Sequence, residues 1–337
     1  SKTKAPATIS TVCVAPTDSN GWDSIRTISC VAMFRQTATP SASLSTSILA
    51  ASLMAVGLSA CSQPLGLEVE DRIIPVIDMH LHTGNWEDIP KIQQDTIRGF
   101  LPGPLAQFPE TAANIITSAR GIRDNMNNAN INWGVLLAVY SPHSTGVATN
   151  ELVQERVAKY PSRFMGIASL DTEHWDEDEA EQLEALENAL LNYNMVGIKL
   201  AHTHMHYRMD DPRFYSIYDL AAQLDAPVYL HIGNSKAPGS ISEPAYTDPA
   251  YLQEAIELYP NTKFILGHMG FDFVDSQLGN VQDCVDLAAL YPNVYLEASA
   301  IGSEFNDENG EKLAAVFERI KEAGVINKLI YGSDGPV

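Results

Sequence analysis

Cysteine is scarce in this sequence, with 4 residues among 337. No two of them are spaced as Cys-x-x-Cys, so a zinc ribbon and a thioredoxin-like redox site both lack support. Cys284 stands alone in a stretch with helical periodicity, and we expect it to be a small buried apolar residue. Cys61 has a different setting, because a run of apolar and small residues precedes it.

Basic residues are also few, with 21 Lys and Arg against 42 Asp and Glu, which gives a net charge of −21. Nucleic acids and anionic membrane surfaces are bound through clusters of Lys and Arg, so neither is an expected partner. The partners that remain are a small-molecule substrate and a second copy of the chain. Apolar residues make up 45% of the sequence, which is enough for a large core.

The apolar run at about residues 44–58 is shorter than the roughly 20 residues that a membrane span needs. It follows Met33 and Arg35 and leads into small residues, which is the layout of a secretory signal. The end of the run, Leu58-Ser59-Ala60-Cys61, resembles the bacterial lipoprotein signal, in which cleavage precedes a lipid-modified cysteine. A helix packed under the folded domain is the alternative interpretation.

This signal divides the first part of the chain into three segments. We expect a non-native upstream segment over residues 1–32, a lipoprotein signal peptide over 33–60 and a tether over 61–72. The mature protein would then lie outside the cytoplasm, in a bacterial cell envelope. Its contact with the membrane would be made only through the lipid anchor at Cys61.

From residue 73 onward, short apolar runs alternate with helical patterns, as in a parallel α/β fold. The eight strand candidates cover residues 73–82, 131–140, 163–171, 195–202, 226–233, 263–270, 293–301 and 327–334. Eight strands with helices between them predict a (β/α)8 TIM barrel over residues 73–337. A doubly wound open sheet is second, because no glycine-rich phosphate loop follows the first strand candidate. The sequence stops three residues after Asp334, so we expect the barrel to lack its last helix through C-terminal truncation.

Histidines and a carboxylate recur where these strand candidates end. His80 and His82 are two residues apart, so they should share one face of the first strand, with Asp78 one step deeper. The other strand ends carry His231, His268 and Asp334. Barrel enzymes place their chemistry at this carboxyl-terminal mouth. Three of these imidazoles and the carboxylate suit a divalent ion such as Zn²⁺, with one coordination position open to water.

Several motifs together resemble those of the amidohydrolase superfamily. In chain order they are Asp78-Met79-His80-Leu81-His82, Gly197-Ile198-Lys199-Leu200, Ala226-Pro227-Val228-Tyr229-Leu230-His231, Gly267-His268-Met269-Gly270 and Tyr331-Gly332-Ser333-Asp334. They are most similar to the amidohydrolase-related branch, which includes aminocarboxymuconate semialdehyde decarboxylase and resorcylate decarboxylases.

The resemblance implies roles for five residues. The metal ligands it implies are His80, His82, His231 and Asp334. Asp334 would also shuttle protons, and His268 would orient the metal-bound water or stabilise developing charge.

Lys199 lies at the end of the fourth strand candidate, and three roles stay open for it. Some branches of the superfamily carboxylate a lysine at this strand end and use it to bridge two metal ions. Its ammonium could instead hold a substrate carboxylate or pair with Asp78. We expect one ion rather than two.

The loops after the strands supply further candidates for substrate contact. His202, His204 and His206 form an alternating run, which we expect to be a loop lining the mouth. Its first member, together with Arg208 as a carboxylate-binding residue and Trp86 as a pocket wall, completes the predicted substrate contacts.

Three functions are compatible with these residues. The first is hydrolysis of a small amide, ester or lactone by a metal-activated water. The second is non-oxidative decarboxylation of an aromatic or unsaturated carboxylic acid, which uses the same ligand set. The third is a non-catalytic surface lipoprotein, and an intact set of metal ligands argues against it.

Overall fold

The computed structural model describes residues 65–101 and 103–336, together with the backbone of two antiparallel strands, Thr8–Val14 and Ser29–Arg35. Cys61 and most of the expected signal peptide lie outside the described residues, so the lipoprotein assignment stays a prediction. Among the described residues, no helix is both long enough and apolar enough to cross a membrane.

Eight parallel strands form the centre of the fold, and each lies inside one of the eight predicted ranges. They are β1 (Ile77–His82), β2 (Trp133–Leu137), β3 (Phe164–Ile167), β4 (Ile198–Leu200), β5 (Val228–His231), β6 (Phe264–Gly267), β7 (Val294–Glu297) and β8 (Leu329–Ile330). Most of their residues are buried on both faces, which is why these segments read as nearly continuous apolar runs.

The strands neighbour one another in chain order. Strands β1 to β3 form one sheet and β4 to β8 another. A parallel bridge between Ala168 and Ile198 joins β3 to β4, and a second between Leu81 and Gly335 joins β1 to the segment after β8. The backbone N–H of His82 donates to Gly335 at 2.7 Å at this second seam. The order confirms the predicted (β/α)8 barrel.

Helices surround the strands. They are α1 (Lys91–Phe100), α2 (Pro109–Ile116), α3 (Ala119–Asn128), α4 (Asn150–Lys159), α5 (Trp175–Asn192), α6 (His202–Met205), α7 (Tyr215–Gln223), α8 (Pro244–Thr247), α9 (Gln253–Leu258), α10 (Val281–Leu290) and α11 (Glu311–Glu322). Helix α5 begins with three acidic residues, which its N-terminal dipole stabilises, and it buries Leu186 and Ala189 against the barrel. Cys284 is buried in α10, as expected, and its thiol forms no disulfide with any described residue.

Part of the stretch predicted as a tether is folded. Leu67–Val69 pairs antiparallel with Arg72–Ile74, immediately before β1. The Leu65 carbonyl accepts a hydrogen bond from the Asn132 side chain at 3.1 Å, at the amino-terminal end of β2. The end of the predicted tether is therefore a hairpin on the face of the barrel opposite its carboxyl-terminal mouth.

Candidate metal centre

Three acceptor atoms converge where β1 ends. Nε2 of His80 lies 3.1 Å from Nε2 of His82 and 3.1 Å from Oδ1 of Asp334. Nε2 of His82 lies 3.0 Å from the same carboxylate oxygen. Two imidazole nitrogens and one carboxylate oxygen at these separations are favourable when they share a cation, so the arrangement fits a divalent metal.

Backbone contacts between β1 and the segment after β8 bring these groups together. The Asp334 N–H donates to the His80 carbonyl at 3.0 Å, and Asp334 adopts a left-handed backbone with φ of 66°. Asp78 is fully buried, and its Oδ1 accepts from the backbone N–H of His80 at 3.1 Å and of Ser333 at 2.9 Å. One buried carboxylate therefore fixes the backbone that carries the converging residues.

His268 and His231 complete a row of imidazoles across the barrel mouth. The possible ligand atoms of His80, His268 and Asp334 all lie within 4.8 Å of one another. The ring of His231 contacts that of His268, with 4.5 Å between centroids, and lies outside this tight group. Nε2 of His231 is nevertheless buried and has no hydrogen-bond partner among the described residues, which leaves a ligand atom available next to the centre.

All five residues that the resemblance implicates are thus brought to one place. The structure places His80, His82 and Asp334 in direct contact. The possible ligand atom of His268 lies within 4.8 Å of those of His80 and Asp334. His231 reaches this group through the contact of its ring with that of His268.

Burial sets the charge of these groups. It lowers the pKa of His80 and His231 well below the ordinary value and that of His268 to about 4. Burial alone would raise the pKa of Asp334, but its contacts with the surrounding imidazoles outweigh that effect and hold the pKa well below its usual range. Neutral imidazoles and an ionised carboxylate are the protonation states that bind metal.

Lys199 is buried in the same layer of the barrel. Its Nζ lies 4.2 Å from the centre of the Tyr229 ring, and burial lowers its pKa to about 8 despite the attraction of Asp334 and Glu297. The ion pair with Asp78 that the sequence left open is not formed, since Asp78 is held by backbone groups instead. The charge of the ammonium acts on Asp334, Glu297 and His80, so it lies near the metal centre.

The sequence did not predict one buried carboxylate of this site. Glu297 ends β7 and is fully buried, and burial raises its pKa. Its Oε2 accepts from Tyr229 Oη at 2.5 Å and from Ser299 Oγ at 2.9 Å. A glycine at 332 makes room for it, because a β-carbon there would lie 2.2 Å from Oε1 of Glu297.

The three predicted substrate contacts in the loops are either buried or paired with another residue. His202 is fully buried in α6 against Tyr207, with ring centroids 4.5 Å apart, so it does not line the mouth. Trp86 is 8% exposed and offers little surface to a substrate. Arg208 is paired with Asp210 at 2.8 Å.

Arg208 also lines a separate surface pocket that contains none of the metal-centre histidines. His202 and His204 of the predicted loop lie in the one-turn helix α6, and His206 follows it as an exposed residue. Only His204 points towards the centre, with its ring 4.8 Å from that of His231.

An eight-stranded barrel with imidazoles and a carboxylate at its carboxyl-terminal mouth defines the class of metal-dependent barrel enzymes. The family model described as Amidohydrolase matches residues 77–337, and the chain therefore belongs to the amidohydrolase family. No curated protein matches the sequence.

Three of the solved structures that share this fold are the following. An uncharacterised TIM-barrel protein from Bordetella bronchiseptica is 20% identical, with a TM-score of 0.57 over 77% of this chain and 85% of that chain. A probable 2-pyrone-4,6-dicarboxylic acid hydrolase from Acinetobacter baumannii, with citric acid bound, is 18% identical, with a TM-score of 0.52 over 77% and 84%. A 5-carboxyvanillate decarboxylase from Novosphingobium aromaticivorans, with bound manganese, is 14% identical, with a TM-score of 0.51 over 77% and 86%. At these identities the likeness is one of fold.

Proposed function

We propose that this protein hydrolyses a small amide, ester or lactone at the centre formed by His80, His82 and Asp334. The observation that carries the proposal is the Asp334 carboxylate, 3.0 Å from His82 and partly open to solvent at the mouth. A carboxylate in that position can take a proton from an attacking water and return it to a leaving group. His231 and His268 complete the proposed set of metal-binding and water-orienting residues.

A bound divalent ion, for which we propose one Zn²⁺, would lower the pKa of water to about 7 and polarise a substrate carbonyl. The described residues would perform the other steps of the reaction. Asp334 moves the proton, His268 lies where charge develops, and the barrel wall excludes water from below. The manganese bound in the decarboxylase structure is likewise a divalent ion. Elemental analysis identifies the ion that this protein binds.

Lys199 narrows the class of substrate. A buried ammonium that lies near the centre and makes no ion pair with the described carboxylates favours a substrate that carries its own carboxylate. This inference supports decarboxylation of an aromatic or unsaturated carboxylic acid as the second candidate function. Such a substrate would place its carboxylate beside Lys199 and its ring oxygens towards His80 and Asp334.

The products distinguish the two functions. The metal-loaded protein is incubated with lactones, amides, esters and aromatic carboxylic acids, and both released CO₂ and newly formed carboxylic acids are measured. New acid without CO₂ supports hydrolysis, and CO₂ in equal amount to product supports decarboxylation. Asp334→Asn should abolish turnover, whereas the exposed Asp225→Asn should leave it unchanged.

We also propose, from the sequence, that the mature chain is anchored outside the cytoplasm through a lipid on Cys61. Wild-type protein expressed in a bacterium should fractionate with membranes, and Cys61→Ser should release it. Equal solubility of the two would contradict the anchor.

A further inference from the structure

His204 is a buried histidine beside the metal centre that the proposed reaction does not use. The residue is 6% exposed, and its ring lies edge to face with that of His231, with 4.8 Å between centroids. Burial lowers the pKa of His204 to about 3, and the charges of Lys199 and Asp334 also act on it. The ring is therefore neutral at pH 7 and lies near both charged groups.

The short helix that carries His204 is fixed by its neighbours. Helix α6 follows β4, and Thr203 within it exchanges two hydrogen bonds with Ile241, from the segment after β5. The Thr203 hydroxyl donates to the Ile241 carbonyl at 2.5 Å, and the Ile241 N–H donates to the Thr203 carbonyl at 2.8 Å. Thr172, from the segment after β3, donates to the Met205 carbonyl at 3.1 Å. The backbone of His204 is thus held from both sides.

Ser144 orients the ring. It is fully buried in the turn of the hairpin at residues 139–148, which follows β2, and its Oγ lies 2.8 Å from Nδ1 of His204. The segment after β5 packs against this turn at Gly239, where a β-carbon would lie 2.1 Å from the carbonyl oxygen of His143. The turn that carries Ser144 is therefore held in place as well.

The second ring nitrogen of His204, Nε2, is open. It makes no hydrogen bond with any residue that the structure describes. It is also not among the described atoms that are enclosed without a partner, as both ring nitrogens of His202 are, so solvent reaches it. When the Ser144 hydroxyl donates to Nδ1, the neutral ring donates from Nε2. His204 can therefore present one N–H to a bound ligand.

His204 and Asp334 approach the centre from opposite sides. Asp334 follows β8, and His204 follows β4, which lies four strands away in the eight-stranded barrel. Lys199 belongs to β4 and lies on the His204 side, with its Nζ over the Tyr229 ring. A substrate whose reacting carbonyl lies beside Asp334 would meet Lys199 and His204 with its other end.

We propose that His204 binds a substrate carboxylate together with Lys199, and that Ser144 is a positioning residue that orients His204. An ammonium and an N–H donor can each hold one oxygen of the same carboxylate through a charge-assisted hydrogen bond. The inference rests on the proposed function for the identity of the substrate site and deepens it. The substrate carries a carboxylate besides the amide, ester or lactone group that reacts.

The probes that test this inference are benzoate, an aromatic carboxylate, and benzamide, its uncharged counterpart. Their binding to the Zn²⁺-loaded protein is measured by titration calorimetry, and wild type should bind benzoate more tightly than benzamide. His204→Phe keeps a ring and removes both nitrogens. It should weaken benzoate binding about 10- to 100-fold and benzamide binding less, because a hydrogen bond to a charged group is lost. His204→Gln, which places an amide nitrogen near the position of Nε2, should recover part of the benzoate affinity.

Ser144→Ala tests the positioning role. It should weaken benzoate binding about 3- to 10-fold, because the ring loses its orienting hydrogen bond. The double variant Ser144→Ala/His204→Phe should bind benzoate no more weakly than His204→Phe alone, since Ser144 acts through His204. Additive losses would overturn the positioning role. If His204→Phe does not fold, equal benzoate affinity in Ser144→Ala and wild type overturns the inference.

Two controls separate substrate binding from other effects. His143→Phe makes the same substitution at the exposed residue beside Ser144 and should leave both affinities unchanged. The Zn²⁺ affinity of metal-free His204→Phe should equal that of wild type, and a loss there would make His204 a metal ligand and overturn the proposal. Equal benzoate affinity in His204→Phe and wild type, or no preference of wild type for benzoate over benzamide, would overturn it too. These measurements need no turnover, so a protein with the expected affinities and no hydrolytic activity would refute only the proposed function.

Discussion

Nζ of Lys199 lies 4.2 Å from the centre of the Tyr229 ring, buried inside the barrel. The ring face stabilises the ammonium where water cannot reach it, although burial lowers its pKa to about 8. Within the described ranges this buried cation contacts an aromatic ring and pairs with no carboxylate, so it is available to an anionic ligand.

The first prediction concerns this ammonium. Lys199→Met should raise KM and lower kcat/KM for a carboxylate-bearing substrate about 10- to 100-fold, because a charge-assisted hydrogen bond contributes about 1.5–3 kcal/mol. Steady-state kinetics with a matched uncharged substrate analogue provides the comparison, and that analogue should lose much less. The surface variant Lys263→Met should behave as wild type. Equal loss for charged and uncharged substrates would show that Lys199 has another role.

The number of metal ions is the second prediction. We expect one equivalent per chain by elemental analysis, lost on dialysis against a chelator together with activity and restored by adding Zn²⁺ or Mn²⁺. Asp334→Asn should lose the ion, since its Oδ1 lies about as close to His80 as to His82. Two equivalents in wild type, with one lost in Lys199→Ala, would instead indicate a carboxylated lysine that bridges two ions.

The third prediction uses the close approach of Gly332 to Glu297. A β-carbon at residue 332 would lie 2.2 Å from Glu297 Oε1 and 2.7 Å from the β-carbon of His80. Gly332→Ala should therefore lower the free energy of unfolding by about 1–3 kcal/mol and weaken metal binding.

Substitution of a second glycine should change the free energy of unfolding in the opposite direction. Gly99 lies exposed in α1, where an added β-carbon meets nothing within 4 Å. Gly99→Ala should raise the free energy of unfolding by about 0.5–1 kcal/mol, because glycine is a poor helix former. Urea unfolding of both variants checks the pair, and a neutral Gly332→Ala would mean that Glu297 can move away freely.

The strands were predictable because a strand that is buried on both faces must be apolar throughout. Except in β1, the predicted ranges are too long at their carboxyl ends, as at residues 327–334 against the observed Leu329–Ile330. The reason is local: His268 and Asp334 have left-handed backbones, with φ of 59° and 66°, which end regular pairing where the site begins. Strand β1 also has a register shift between Asp78 and Leu81, yet His80 and His82 still converge.

Glu297 was not predictable in the same way, since two of its partners, Tyr229 and His268, come from distant parts of the chain. Register offers the one signal that was available. His231, Gly267 and Glu297 are aligned side by side on β5, β6 and β7, so Glu297 lies in the layer of the metal-centre histidines. Gly267 has no side chain there because a β-carbon would lie 2.2 Å from Tyr229 Oη. Alignment of three strand ends needs the barrel register, which composition does not encode.

The last prediction follows from the burial of His202. Both of its ring nitrogens are buried and find no hydrogen-bond partner in the part of the chain that the structure describes, and burial lowers its pKa to about 3. Its pKa in the unfolded chain is about 6.5, so between roughly pH 3 and 6.5 unfolding takes up a proton at this residue. Stability is therefore fully present above that range and falls with decreasing pH by about 1.4 kcal/mol per pH unit.

His202→Leu should remove this dependence. Its free energy of unfolding should equal or exceed that of wild type at pH 8, because the two unsatisfied nitrogens are gone and the apolar contact with Tyr207 is kept. Between pH 4 and 6 the free energy of unfolding should fall less steeply with decreasing pH in the variant than in wild type. The difference in slope corresponds to about one proton. Urea titrations at half-unit pH intervals measure that slope. Parallel plots of the free energy of unfolding against pH for the two proteins would show that His202 takes up a proton as readily in the folded state as in the unfolded state. His202 would then be accessible at the mouth of the barrel, as a substrate contact must be.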